Sequence, residues 1–195
     1  MTGGKASGET SARRRPKPLD AARLEELALA YVARFATSAA RLERYLARKL
    51  RERGWDGARE PDLAALVARY VELGYVDDEA FARARSGSLL RRGYGPRRVR
   101  QALGEAGIAQ QVRDDVRPGA AAERRAALAL ARKRGFGPFG PKGTDGKPDR
   151  DRREKQLAAM LRAGHTLDSA REMVDAASEA AAEEWAAACD DDEVC

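Results

Sequence analysis

Between Ala80 and Leu103 the sequence places seven arginines, Arg83, Arg85, Arg91, Arg92, Arg97, Arg98 and Arg100, and no acid. A solvated helix ordinarily interleaves opposite charges at i, i+4 spacing, as Arg41, Glu43, Arg44 and Glu52 partly do. An acid-free window lacks that local neutralisation, so its potential is met by counterions or by an anionic partner. Pro96 suits the first turn of a helix. That sets Arg97 and Arg98 beside backbone N–H groups that already favour anions. The chemistry on offer is recognition of phosphate or carboxylate. The competing reading is a merely soluble surface that prefers Arg to Lys. Tyr94, between Gly93 and Gly95, also has two readings. Its ring could stack on a base or a partner, or it could anchor the turn against the following helix.

Reactive chemistry finds no comparable footing. His165 is the only histidine. Without a Cys or acid constellation it makes neither a metal site nor a catalytic triad, and it reads as a surface or turn residue. Cys189 and Cys195 sit among Asp and Glu, which raise a thiol pKa and argue against a nucleophile. Both fall outside any expected core, so a structural disulfide is not expected. Asp190 to Glu193 could hold a hard cation only weakly, since a flexible tail offers no preformed cage. Gly135-Phe136-Gly137-Pro138 lacks the Lys and Ser/Thr of a phosphate-cradling loop. The expectation is a protein with no catalytic residue, no metal and no cofactor.

Charge is distributed unevenly. All 37 bases precede Glu172, and nine acids follow from it, so residues 1–171 carry 37 bases against 22 acids, a net +15. A basic body with an acidic end implies an anionic partner. No stretch approaches the ~20 apolar residues of a membrane span. Arg13 to Arg15 are not followed by the apolar region of a signal peptide. A cytoplasmic protein is expected.

The elements that must position these residues are helices. Aromatics are only 6% of the chain, and Ala, Leu, Arg and Glu dominate, which favours helix over strand. Residues 1–18 read as a disordered basic arm. Asp20 caps a first helix with an apolar stripe of Leu24, Leu27, Ala28, Tyr31 and Phe35, ending near Ala36. Ser38 caps a second helix that Gly54 stops, and a third runs from Pro61-Asp62 to Gly74. A fourth spans Asp77 to Arg92, a fifth Pro96 to Gly107, and a short sixth Ala109 to Val116. The seventh covers Ala120 to Arg134. Gly135 to Arg150 then reads as an exposed flexible loop. The eighth runs from Asp151 to Ala163. Thr166 caps the ninth, and the Ala/Glu segment is expected to carry it on toward Trp185.

Gly54-Trp55, Gly107-Ile108 and Gly164-His165 each follow one amphipathic helix and precede another, 53 and 57 residues apart. That period indicates an internal repeat. The architecture expected is all-α, three tandem three-helix repeats in an elongated, curved array: repeat one at 19–76, repeat two at 77–118, repeat three at 119–177 with the loop at 135–150, and an acidic tail at 178–195. Each unit is too small to bury much surface alone, so neighbours must share contacts. Tyr75 and Phe81 read as core, and Trp55 as the closure of its turn. No heptad seam is visible, so a monomer is expected.

Two blocks resemble a known family. Gly74-Tyr75-Val76-Asp77-Asp78-Glu79-Ala80-Phe81-Ala82, followed by Arg92-Gly93-Tyr94-Gly95-Pro96-Arg97-Arg98-Val99-Arg100-Gln101-Ala102-Leu103, is similar to the central signature of RecX proteins. Leu42, Tyr45, Leu46, Lys49, Leu50, Arg53 and Gly54 resemble the opening repeat of that family. The likeness covers about Leu24 to Val174, with a loop at 135–150 longer than usual and an atypical acidic tail. It implies tandem three-helix repeats that bind the RecA filament, along its groove, and inhibit strand exchange and the coupled ATPase and coprotease functions. It also implies a setting in homologous recombination and the SOS response. Some members are thought to touch DNA. The alternative is a stand-alone DNA-binding module, since three-helix units look like helix-turn-helix folds. The residues assigned to RecA or DNA contact are Arg83, Arg85, Arg91, Arg92, Tyr94, Arg97, Arg98 and Arg100.

Overall fold

The computed structural model describes residues 17–140 and 150–188. Most of the basic arm, the 141–149 part of the Gly/Pro-rich stretch, and Cys189 to Cys195 lie outside the described residues. Ten α-helices follow one another in the described chain: α1 (Ala21–Arg34), α2 (Ala39–Arg53), α3 (Leu63–Glu72), α4 (Asp78–Arg91), α5 (Pro96–Glu105), α6 (Gln110–Asp115), α7 (Ala120–Arg134), α8 (Arg150–Arg162), α9 (Leu167–Val174) and α10 (Glu179–Ala187). The only β pairing there is an isolated bridge between Leu19 and Trp55. The fold is all-α.

Short polar side chains start the helices. Asp20, Ser38, Asp62, Asp77, Thr166 and Ser178 each accept a hydrogen bond from the backbone N–H three residues on, satisfying a donor that the helix itself leaves open. Buried residues form three clusters in chain order. Leu24, Leu42, Leu46, Val67 and Tyr70 centre the first, within α1–α3. Leu89, Val99, Leu103 and Ile108 centre the second, within α4–α6. Leu130, Met160, Met173 and Ala182 belong to the third, within α7–α10.

The units are joined by a repeated contact. In the second unit Gly107, at φ 78°, turns α5 into α6, and Ala106 just before it accepts a 2.6 Å hydrogen bond from the buried hydroxyl of Ser38, the N-cap of α2. In the third unit Gly164, at φ 97°, turns α8 into α9. There Ala163 accepts a 2.9 Å bond from the N–H of Gly95, the N-cap of α5. In both cases the turn of one unit docks on the N-terminus of the middle helix of the unit before it. The first joint is reinforced by Ala39 N–H donating to Asp78 Oδ1 at 2.8 Å and by Arg44 Nη2 donating to Glu105 O at 2.9 Å. The second joint is mostly main chain. Gly93 lies against Leu130, and Gly95 lies against Gly164 and His165, so closely that a Cβ at either position would stand 2.9 Å or less from backbone atoms.

Several expectations need correction. The acidic segment does not extend the ninth helix. Asp175 closes α9 by donating to Arg171 O at 2.8 Å, and Ser178 starts α10, which packs on α7 with Ala182 and Ala186 buried. Burying those alanines requires the chain to turn back, and Glu183 then pairs with Arg132 of α7. The Gly/Pro-rich stretch is built in at its start. Phe136 and Phe139 pack on the third cluster, and Gly137 N–H donates to Gln156 Oε1 at 3.0 Å. Lys17 and Pro18, assigned to the arm, are held in place. Lys17 O accepts from Arg53 Nε and Pro18 O from Arg23 Nη1, while Leu19 bridges the Gly54-Trp55 turn. Tyr75 is 56% exposed rather than core, with its ring tilted on Tyr70 at 5.7 Å. Phe81 and Trp55 pack against their clusters.

Candidate partner interface

The positions of the arginines follow from which helix faces are buried. α4 buries Ala82, Ser86 and Leu89, at i, i+4 and i+7. α5 buries Val99, Ala102 and Leu103. The helical period then turns Arg83 and Arg91 on α4, and Arg97 and Arg100 on α5, to solvent.

The seven arginines are not equivalent. Arg83 pairs with Glu79 at 3.1 Å, and Arg98 approaches Glu105 at 3.9 Å. Both acids flank the acid-free window, at helical distances that let them reach into it. These exposed pairs contribute little to stability, but they lower the local potential. Arg85 is half-buried, with its Nε enclosed and without a hydrogen-bond partner. Arg92 places its guanidinium 5.4 Å from the Tyr94 ring centroid, and Tyr94 packs against the second cluster. The anchoring contact of Tyr94 is therefore present, and the residue stays partly exposed. Among the described residues no carboxylate lies within ion-pair distance of Arg91, Arg92, Arg97 or Arg100, and all four are exposed, but Glu123 attracts Arg100. The acid-poor face reduces to Arg91, Arg92 and Arg97.

The anion site expected at the start of α5 is not available. Arg97 N–H donates to Gly164 O at 3.1 Å, Gly95 N–H donates to Ala163 O, and Arg98 and Val99 N–H donate to Gly95 O. The third unit's turn takes the Gly95 and Arg97 donors, and the Gly95 carbonyl takes those of Arg98 and Val99. Only the arginine side chains remain to meet an anion.

His165 is likewise reassigned. It is 1% exposed, in the turn of the third unit, with Nε2 3.0 Å from Gly93 O. Burial pushes its pKa down, opposed in part by that backbone hydrogen bond. It locks the second joint as a neutral donor. Nothing local in the sequence could show this, because the residues that bury it lie far away along the chain. Phe35 is 50% exposed although it continues the apolar stripe of α1. Together with Tyr31 and Tyr45 it lines a large groove beside the arginines of α2, a second basic surface that the stripe reading placed in the core. Among the described residues no group of three or more His, Cys, Asp or Glu is arranged to hold a metal ion, and no helix is long and apolar enough to cross a membrane.

This geometry matches known proteins. Residues 77–116, which span α4–α6 and all eight assigned contact residues, match the family model described as "RecX, second three-helix domain". The chain is 33% identical over 172 residues to regulatory protein RecX of Myxococcus xanthus, covering 83% of this chain and 89% of that one. The chain belongs to the RecX family. Further RecX relatives are the regulatory proteins of Halorhodospira halophila, 37% identical over 139 residues (70% of this chain, 79% of that one), and of Mycobacterium sp. strain KMS, 35% identical over 167 residues (82% and 86%). The RecX crystal structure from Lactobacillus salivarius superposes with a TM-score of 0.61 at 16% identity, covering 79% of this chain and 94% of that one. At that identity the match speaks for the fold alone. Gly93, Gly95 and Gly107 have a physical reason in this chain. Each sits where an added Cβ would meet the neighbouring unit.

Proposed function

We propose that this RecX-family chain binds a RecA filament and restrains it without chemistry of its own. Family membership supplies the prior. The observation that carries the reading is the exposed set Arg91, Arg92 and Arg97, unpaired with carboxylates among the described residues and held on one packed unit. Such a surface suits a charged polymer, whether acidic protein or phosphate within the filament groove. Tandem units lengthen the surface that can follow a repeating partner. Docking there obstructs the duplex that must enter for strand exchange.

The covered start of α5 favours this reading over a stand-alone helix-turn-helix protein. A recognition helix pushes its N-terminus into the major groove, whereas here the backbone at that end is packed against Ala163 and Gly164 of the third unit and only side chains such as Arg97 are left exposed. The test is titration of the purified chain into a RecA strand-exchange and ATPase assay. Both activities fall with the parent protein, and Arg91→Glu/Arg92→Glu/Arg97→Glu relieves the inhibition while the circular dichroism stays unchanged. Full activity throughout a titration with the parent chain defeats the proposal.

A further inference from the structure

We propose that the groove between α1 and α2 of the first unit is a binding site for single-stranded nucleic acid. Its arginines are distinct from the second-unit set, so different substitutions test the two readings and this one does not rest on the filament reading. The groove encloses about 1010 Å³. Its α2 wall carries Arg41, Arg44, Arg48 and Arg51, at i, i+3, i+7 and i+10. At about 1.5 Å rise per residue these form one stripe roughly 15 Å long, a rail for a polyanion. Among the described residues Glu105 is the only acid in its lining. Arg44 is engaged with main-chain oxygens and Arg48 lies 3.7 Å from Glu52, which also attracts Arg51; among the described residues no carboxylate lies within ion-pair distance of Arg34, Arg41 or Arg51.

Aromatic rings from both helices line it as well: Tyr31 on α1, Phe35 just after it and Tyr45 on α2. Tyr31 and Tyr45 stack on each other at 4.2 Å with an 18° interplanar angle, and the Arg48 and Lys49 cations lie 5.7 and 5.9 Å from the Tyr45 centroid, so those faces are taken; Phe35 lies 5.3 Å from Tyr31, tilted by 51°. The series ends on an open ring, since Phe35 is half exposed and has the Arg34 guanidinium 5.6 Å from its centroid. The open Phe35 ring beside a row of guanidiniums takes an unstacked base on the ring face and its phosphates on the cations. A duplex hides its base faces and offers phosphate alone. An acidic peptide uses the arginines and leaves the ring idle. A free nucleotide fills the ring position and not the rail. The occupant that uses both ring and rail is a single strand.

The test uses the full chain and a fluorescein-labelled oligo-dT of about 15 nucleotides, read by anisotropy across a salt series. Phe35→Ala, at an exposed position, is expected to weaken strand binding at least about fivefold, the low end of what one base stack contributes. Arg34→Gln/Arg51→Gln is expected to reduce the log–log salt slope by about 1.4, at roughly 0.7 per phosphate of a single strand. Phe35→Trp adds a readout that does not depend on loss: its fluorescence, measured as a difference from the parent, is quenched when a base stacks on it. Strand binding that is unchanged in Phe35→Ala and leaves the introduced Trp unquenched overturns the proposal. So does equal competition by a duplex, by ATP or by polyglutamate, which would reassign the groove to plain electrostatics, a nucleotide or an acidic protein respectively.

Discussion

The three turn glycines share a backbone and differ in their neighbours. Gly54, Gly107 and Gly164 have φ values of 81°, 78° and 97°, a region where a Cβ is strained. Around Gly54 nothing would lie within 4 Å of an added Cβ. At Gly107 the Cβ would stand 2.3 Å from the Ala40 side chain, and at Gly164 it would stand 2.5 Å from the backbone nitrogen of Arg98. The first turn has no earlier unit packed on it among the described residues and is bridged by Leu19. The other two are joints. One local motif therefore does two jobs. It reverses the chain everywhere, and where another unit is present it also removes the atom that would hold the two apart.

Substitutions at the equivalent positions separate those jobs. Gly164→Ala should be the most damaging, adding a clash with immovable main chain to the dihedral strain, for a loss of about 3–5 kcal/mol in chemical denaturation. Gly107→Ala should cost less, about 2–4 kcal/mol, because the obstructing atom is one methyl group. Ser38→Ala removes both the cap of α2 and the donor to Ala106 O in a buried site, for about 1–3 kcal/mol. Gly54→Ala should cost about 1–2 kcal/mol, from strain alone. A loss at Gly54 equal to that at Gly164 would show that the joints contribute nothing beyond the turn.

The smallest effect should come from pH. Burial lowers the pKa of His165 in the folded chain below its ordinary 6.5. The unfolded chain therefore takes up a proton first as the pH falls. The stability held by the neutral ring is complete above about pH 6.5 and declines as the pH drops from there toward the folded value. Thermal melts from about pH 7.5 down to about pH 5.5 should show that decline in the parent and less of it in His165→Gln. Equal pH profiles would mean that His165 keeps its proton equilibrium on folding.

Much of this was readable from local patterns. The caps Asp20, Ser38, Asp62, Asp77 and Thr166 and the glycine stops act within four residues of themselves, so sequence spacing reports them directly. The arginine window was equally visible. Its useful membership was not, because Glu79 and Glu105 lie outside the window yet reach Arg83 and Arg98. Tyr75 and Phe35 continued apolar patterns but face solvent, since periodicity marks a face without saying whether anything covers it.

Composition, capping and period by themselves determined that this chain makes helices, groups them in tandem units and keeps a basic surface on the second. Only the tertiary structure decided that the start of α5 is occupied, that His165 is a buried lock and that α10 folds back on α7. Each of those depends on atoms far apart in the chain coming within hydrogen-bond or van der Waals distance. A backbone N–H looks free in a sequence until the partner that takes it is packed against it.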